Sequence, residues 1–243
     1  MTFKPRIAAG AAALALGAGG LGMAGMLSAG ASTPPCGDCS DIWSLKFHHE
    51  FPLDVYQAQA SPGQPVILFQ RSNSDPAEDF VVEELGPVDS VYRHHRNLIS
   101  TGFDQAFTPA AAFEIEYEPL GVSSHLCVGT TPDEAAYPGE PVALYPCGES
   151  ASTVWVQDTD PADGVSPVPG YDAYINAATD SFSNPLVLNY PAGYPTDMPR
   201  PQLNVQPLSS FSDGTIYDSQ LWNGIGGPPP PPPSPPPSPT ADD

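Results

Sequence analysis

The stretch that decides the fold is "PVALYPC", residues 141–147, in which apolar residues form a short strand pattern between two prolines. Similar phrases occur upstream, as "PVILFQR" from Pro65, and downstream, as "PLVLNYP" from Pro185. Each phrase has a strand and a turn before it and a second strand after it. Internal repeats outrank single motifs as indicators of a fold. The sequence therefore predicts one structural unit that is repeated three times.

The rest of the chain favours strands over helices. The 33 prolines and 22 glycines interrupt the chain every few residues, and the apolar runs between them are short and rich in β-branched and aromatic residues. Such a pattern is typical of an all-β sandwich or barrel. The first two phrases start 76 residues apart and the last two 44 apart. We therefore predict an insertion, residues 86–120, between repeats 1 and 2.

The two ends of the sequence differ from the middle. Residues 1–31 combine two cations, Lys4 and Arg6, with a long uncharged Ala/Gly/Leu run that ends in "AGA", which is typical of a cleaved signal peptide. Residues 227–243 form a proline-rich tail, predicted to be disordered because polyproline forms no internal hydrogen bonds. The folded domain is predicted over 36–226. We expect a secreted, extracellular protein without stable membrane insertion.

The charge of the chain excludes one class of partner. Lysine and arginine number 7 against 28 acids, which gives a net charge of −21. Removal of the predicted signal removes two cations and no acids, and takes the net charge to −23. A chain this acidic repels polyanions, so nucleic acid is not expected as a partner.

All four cysteines lie in the predicted exported part, where an even count favours disulfides. Cys127 and Cys147 flank a hairpin-like stretch and are predicted to pair. Cys36 and Cys39 form a Cys-x-x-Cys, which we interpret as a local structural disulfide. Two cysteines are too few for a four-thiolate zinc site.

The middle repeat, "LCVGTTPDEAAYPGEPVALYPCGESASTVWV", resembles a repeat of the ricin B-chain lectin family. That resemblance implies a β-trefoil, which is three pseudo-repeats around a shared axis. Repeats 1 and 3 match more weakly, and the literal Gln-x-Trp at 220–222 is interpreted as a closing strand outside the repeats. The matching positions are Cys127, Val142, Leu144, Tyr145, Cys147 and Trp155.

The resemblance also implies a place for a sugar. In the family an Asp on the first strand accepts sugar hydroxyls, an aromatic ring ending the second strand stacks on the sugar, and an amide before the tryptophan adds polar contacts. The middle repeat has Gly129 at the acid position. In repeat 3, Asn176 is expected near the acid position and Asn189 or Tyr190 near the aromatic one. Repeat 1 is the best candidate, and its expected carbohydrate-binding residues are Asp54, Phe69, Glu78 and Asp79.

The resemblance implies a lectin-like protein, and we expect it to be non-enzymatic, without a cofactor or a metal site. Its partner would be an extracellular or cell-surface glycan, or a protein. The alternative is a structural, protein-binding or inhibitor-type trefoil without sugar binding. A small hydrolase is less favoured, because nucleophile motifs are missing and acid pairs such as Glu114 and Glu116 are expected by chance among 28 acids.

Overall fold

The computed structural model describes the chain from the region of Cys39 to Asn223. The predicted signal 1–31 and tail 227–243 lie outside the described residues, so both remain predictions. No helix within the described part is both long enough and apolar enough to cross a membrane. The described residues are 39, 42–47, 50–72, 75–158, 170–191, 201–212 and 214–223.

The described residues form a mostly antiparallel β structure with two short helices, which confirms the predicted all-β class. The strands are short because prolines and glycines end them. The elements are β1 Leu53–Val55, β2 Val66–Leu68, β3 Phe80–Pro87, α1 Val88–His94, α2 Thr101–Phe107, β4 Ala111–Tyr117, β5 Leu126–Gly129, β6 Ala143–Pro146, β7 Trp155–Asp158, β8 Tyr171–Asn176, β9 Leu186–Asn189, β10 Asn204–Pro207 and β11 Trp222–Asn223.

Three backbone hydrogen bonds close a cycle and define a pseudo-threefold axis. The N–H of Val66 donates to the carbonyl of Val142 at 3.2 Å, Val142 donates to Leu203 at 2.8 Å, and Leu203 donates back to Val66 at 2.9 Å. All three side chains are fully buried. Three equivalent strands that meet in this way form the centre of a β-trefoil, so the predicted fold is confirmed.

The cycle also corrects the alignment of the third repeat. The third member of the central triangle is "PQLNVQP", residues 201–207, and the phrase "PLVLNYP" was the wrong choice. β9 pairs with β10 in the register that β5 keeps with β6, so β9 is the first strand of repeat 3. The phrases look alike because all four residues of β9 are buried, and the first three form a continuous apolar run.

The literal Gln-x-Trp at 220–222 belongs to repeat 3 and is not an extra closing strand. The indole N–H of Trp222 donates to the carbonyl of Leu188 at 2.9 Å, as the indole of Trp155 donates to Val128 at 2.8 Å. Leu188 and Val128 hold the same position in their strands. Phe80 takes the tryptophan position in repeat 1.

A segment from the N-terminal side completes the third repeat. Phe80 and Trp155 pair with Tyr117 and Asn176 on the fourth strands of repeats 1 and 2, which are β4 and β8. In repeat 3 the corresponding partner of Trp222 is Ser44. Next to it, the N–H of Asn223 donates to the carbonyl of Trp43 at 3.0 Å. The fourth strand of repeat 3 is therefore supplied from a part of the chain that precedes repeat 1.

The predicted insertion 86–120 contains both helices and also β4, the fourth strand of repeat 1. The sequence pattern favours strands over this region, so the two helices were not predicted. Ser100 caps α2 by accepting a hydrogen bond from the N–H of Phe103 at 3.1 Å. The buried residues of the helices join a second apolar cluster that covers the outer side of β8: Val88, Val91, Phe103, Tyr171, Ala173 and Ile175.

The disulfide between Cys127 and Cys147 is present, which confirms that prediction. It joins β5 to the residue that follows β6, across the hairpin of repeat 2. Cys39 is also disulfide-bonded. Because Cys36 lies outside the described residues, the pairing of Cys36 with Cys39 remains a prediction.

Candidate functional site

The pseudo-threefold axis relates three positions at which a trefoil repeat can place a ligand-binding acid. Asp54 pairs with Ile67, Gly129 with Ala143, and Asn189 with Asn204, in the same register of their hairpins. Asp54 and Gly129 thus stand where the sequence alignment put them. In repeat 3 the position belongs to Asn189, and the expectation for Asn176 was wrong because that residue ends β8.

In repeat 2 the acid position is closed by backbone. A Cβ atom at Gly129 would lie 2.5 Å from the carbonyl oxygen of Ser152 and 3.0 Å from the Cα of Thr153. The amide of Asn176 also donates to that carbonyl oxygen of Ser152 at 2.9 Å. The space that an acidic side chain would need in this repeat is therefore filled.

In repeat 3 the acid position is occupied by a hydrogen-bonded amide. The Nδ2 of Asn189 donates to Oδ1 of Asn204 at 2.8 Å, and its Oδ1 accepts from the hydroxyl of Ser219 at 3.1 Å. Both polar atoms of this side chain are thus committed within the protein. The residue at the aromatic position is Gln206, so this repeat lacks a stacking ring there.

Repeat 1 differs from the described parts of the other two repeats because three carboxylates meet there. One oxygen each from Asp54, Asp75 and Glu78 lies within 4.8 Å of the others. Asp54 is 4% exposed and Glu78 is 7% exposed. The carboxylate of Asp75 also caps the turn at 76–78, by accepting from the N–H of Ala77 at 3.0 Å. Two of the four predicted residues are therefore brought together, with Asp75 as a third member.

The other two predicted residues lie at the edge of this cluster. Phe69 follows β2 two residues after Ile67, the partner of Asp54, so both side chains belong to the same face of the hairpin. Asp79 precedes β3, and its carboxylate accepts from the N–H of Leu120 at 2.8 Å. Leu120 is half exposed and has a left-handed φ of 61°. Phe69 thus shares a hairpin face with Asp54, and Leu120 contacts Asp79 through its backbone.

Glu78 makes a structural contact that its counterpart in repeat 3 reproduces. Its Oε1 accepts from the N–H of Ser72 at 2.8 Å, and Gln220 accepts from Ser209 at 2.9 Å in repeat 3. In repeat 2 Thr153 is too short for this contact, and Glu114 of β4 accepts from Gly148 at 2.9 Å instead. One oxygen of Glu78 therefore holds the loop after β2.

A buried hydroxyl lies beside the carboxylates. Tyr117 is fully buried, and its Oη has no hydrogen-bond partner among the residues that the structure describes. Burial, followed by the charges of Asp54, Asp79 and Asp75, raises the pKa of this phenol well above its usual range. The pseudo-equivalent Asn176 points toward Ser152 in repeat 2. Tyr117 is thus directed at the corresponding part of repeat 1. No sequence signal connected it to the site.

The buried acids predict how stability depends on pH. Burial raises the pKa of Glu114, although hydrogen bonds from Thr153 and Gly148 oppose the shift, and burial also raises the pKa of Asp172. The folded state then holds these protons more tightly than the unfolded chain does. The stabilisation is complete below the unfolded value, 4.5 for Glu114, and is lost as the pH rises through the folded value.

Urea unfolding between pH 5 and pH 7.5 measures this effect. We expect the free energy of unfolding to fall as the pH rises, and to fall less steeply in Glu114→Gln, which keeps an acceptor oxygen for Gly148. Glu149→Gln, at an exposed position, should keep the parent slope. If the free energy of unfolding of Glu114→Gln falls with pH as steeply as that of the parent protein, the buried charge of Glu114 does not destabilise the folded state.

A separate polar cleft lies where the insertion meets repeats 2 and 3. Its volume is about 380 Å³. It contains hydroxyls, an amide, carboxylates and one aromatic ring, and none of the four predicted residues. The cleft therefore serves as a control region for binding experiments on the site of repeat 1. The lining residues include Asn97, Ser100, Glu134, Ser152, Asp180 and Phe182.

No protein-family model matches the chain, and the comparison with curated proteins gives no match. Among solved structures, the chain is similar to a designed threefold-symmetric protein, ThreeFoil, with 14% identity, 75% of this chain and 94% of that chain covered, and a TM-score of 0.49. An exo-beta-1,3-galactanase from Clostridium thermocellum is similar with 12% identity, 78% of this chain and 30% of that chain covered, and a TM-score of 0.48. A mosquitocidal holotoxin is similar with 13% identity, 76% of this chain and 17% of that chain covered, and a TM-score of 0.48. Values this low carry no argument about activity, and the trefoil assignment rests on the hydrogen bonds described above.

Proposed function

We propose that this protein is a secreted, non-enzymatic carbohydrate-binding protein of the ricin B type, with its sugar site in repeat 1. The observation that carries the proposal is the difference between the three pseudo-equivalent positions. Gly129 is closed by backbone and Asn189 is satisfied internally. Asp54 keeps a charged acceptor in a group of carboxylates.

The chemistry of the site fits a neutral sugar. Phe69 and Leu120 supply apolar surface at the edge, which suits the C–H face of a sugar ring. Asp54, Glu78 and Asp79 supply acceptors for hydroxyl donors, and each hydrogen bond to a charged acceptor contributes about 1.5–3 kcal/mol. An acidic sugar would be repelled by the same charges.

Glycan-array binding followed by calorimetry on the mature chain tests this proposal. Asp54→Asn and Phe69→Ala should each weaken binding of the best neutral glycan tenfold or more, because about 1.4 kcal/mol corresponds to a factor of ten. The matched aromatic variant in repeat 2, Tyr145→Ala, should leave the affinity nearly unchanged.

A second control separates the cleft from the site of repeat 1. Asp180→Asn changes the lining of the cleft and should bind like the parent protein. If Asp180→Asn loses affinity while Asp54→Asn keeps it, the assignment to repeat 1 is wrong. An array without any hit would favour the alternative of a protein-binding trefoil without sugar binding.

A further inference from the structure

The three carboxylates of repeat 1 have the spacing of ligands around one hard cation. Their oxygens all lie within 4.8 Å of one another. Calcium–oxygen bonds measure about 2.3–2.6 Å, so ligands on opposite sides of one calcium ion are separated by about 4.6–5.2 Å. One ion can thus contact Asp54, Asp75 and Glu78 at the same time.

The charges of this group favour a cation. Asp54 and Glu78 are buried, and like charges at this separation disfavour one another. The chain adds to the repulsion with a net charge of −21. Glu78 and Asp75 each accept one backbone hydrogen bond, and a divalent cation would offset the negative charge that the three carboxylates bring together.

The buried hydroxyl of Tyr117 is a second, independent sign of a bound group. A fully buried hydroxyl without a partner is uncommon in folded proteins and needs an explanation. Its direction, toward the carboxylates, follows from the equivalent Asn176 and from the carboxylate charges around it. A hydroxyl oxygen is also a suitable ligand for a hard cation, directly or through water.

We propose that repeat 1 contains a calcium site formed by the carboxylates of Asp54, Asp75 and Glu78, with the hydroxyl of Tyr117 facing the ion or a water bound to it. The ion would share Asp54 and Glu78 with the proposed sugar site, but its binding needs only groups of the protein and can be measured without sugar. Oxygen ligands alone, with three carboxylates, suit calcium better than magnesium, which keeps several waters and one or two carboxylates.

Calorimetric titration of the chelator-treated mature chain with calcium chloride, at neutral pH and without sugar, tests the proposal. We expect one ion per chain. Asp75→Asn should weaken binding at least tenfold, while its amide oxygen still caps the turn at Ala77. The matched control Glu134→Gln removes one exposed charge elsewhere and should bind calcium like the parent protein.

A second measurement places Tyr117 at the ion. Terbium, used as a calcium substitute, should show tyrosine-sensitised emission that is largely lost in Tyr117→Phe, although terbium still binds. The site is refuted if calcium chloride gives no binding heat, or if Asp75→Asn and Glu134→Gln weaken binding equally. Undiminished emission in Tyr117→Phe overturns the role of the hydroxyl. A glycan array without hits leaves these outcomes unchanged.

Discussion

Gly129→Ala should destabilise the protein by about 2–3 kcal/mol, the upper range for an extra group forced into a packed interior. The new Cβ would lie 2.5 Å from the carbonyl oxygen of Ser152 and 3.0 Å from the Cα of Thr153. These contacts are backbone atoms, which cannot rotate away as a flexible side chain can. Urea unfolding at a constant pH measures the loss.

Gly148→Ala is the matched control for this prediction. Gly148 has a positive φ of 69° but nothing within 4 Å of a new Cβ. Its substitution therefore carries only backbone strain, about 1–2 kcal/mol. If Gly129→Ala costs less than Gly148→Ala, repeat 2 has room at its acid position and is not closed. The clash also predicts that Gly129→Asp will not create a second sugar site.

Trp222→Ala should cost about 3–5 kcal/mol, as is usual when a large buried aromatic is truncated to alanine. Trp222 is fully buried and its indole N–H donates to Leu188 at 2.9 Å. The substitution would leave a cavity between repeats and deprive that carbonyl of its donor. Chemical unfolding followed by tyrosine fluorescence measures the change.

The equivalent substitution, Trp155→Ala, provides the comparison. Trp155 makes the same indole contact, to Val128 at 2.8 Å, so the two losses should be similar. A loss below about 1 kcal/mol at Trp222, beside a full loss at Trp155, would contradict the placement of the 220–222 segment inside repeat 3.

The local pattern predicted three β-rich repeats, and the resemblance of the middle repeat to the ricin B-chain lectin family implied the trefoil. Cys127 and Cys147 flank one hairpin, and the phrases from Pro65 and Pro141 are equivalent strands. The alignment of the third phrase was wrong because β9 follows a proline, the stretch 201–207 begins with one, and both contain apolar residues. The two alignments are distinguished by contacts between distant parts of the chain, such as the hydrogen bond from Leu203 to Val66.

The candidate site was only partly predictable for the same reason. Asp54 and Glu78 could be placed from the alignment with the middle repeat. Asp75 lies in a polar run that reads as a simple turn, and its approach to Asp54 needs the turn at 76–78 to form. Tyr117 lies on β4, beyond both helices, and its position depends on strand pairing that no local pattern specifies.

The way the third repeat is completed has a consequence for biosynthesis. The backbone N–H of Trp43 donates to the side chain of Asn223 at 2.7 Å, across 180 positions of the chain. At about 5–20 residues per second, a ribosome needs on the order of ten to forty seconds to make that interval. Until Asn223 has been synthesised, one strand edge of the segment around Trp43 lacks its native partner and can pair with other nascent chains. A message truncated before the codon for Trp222 would therefore leave this segment paired with Pro52 but without its partner in repeat 3.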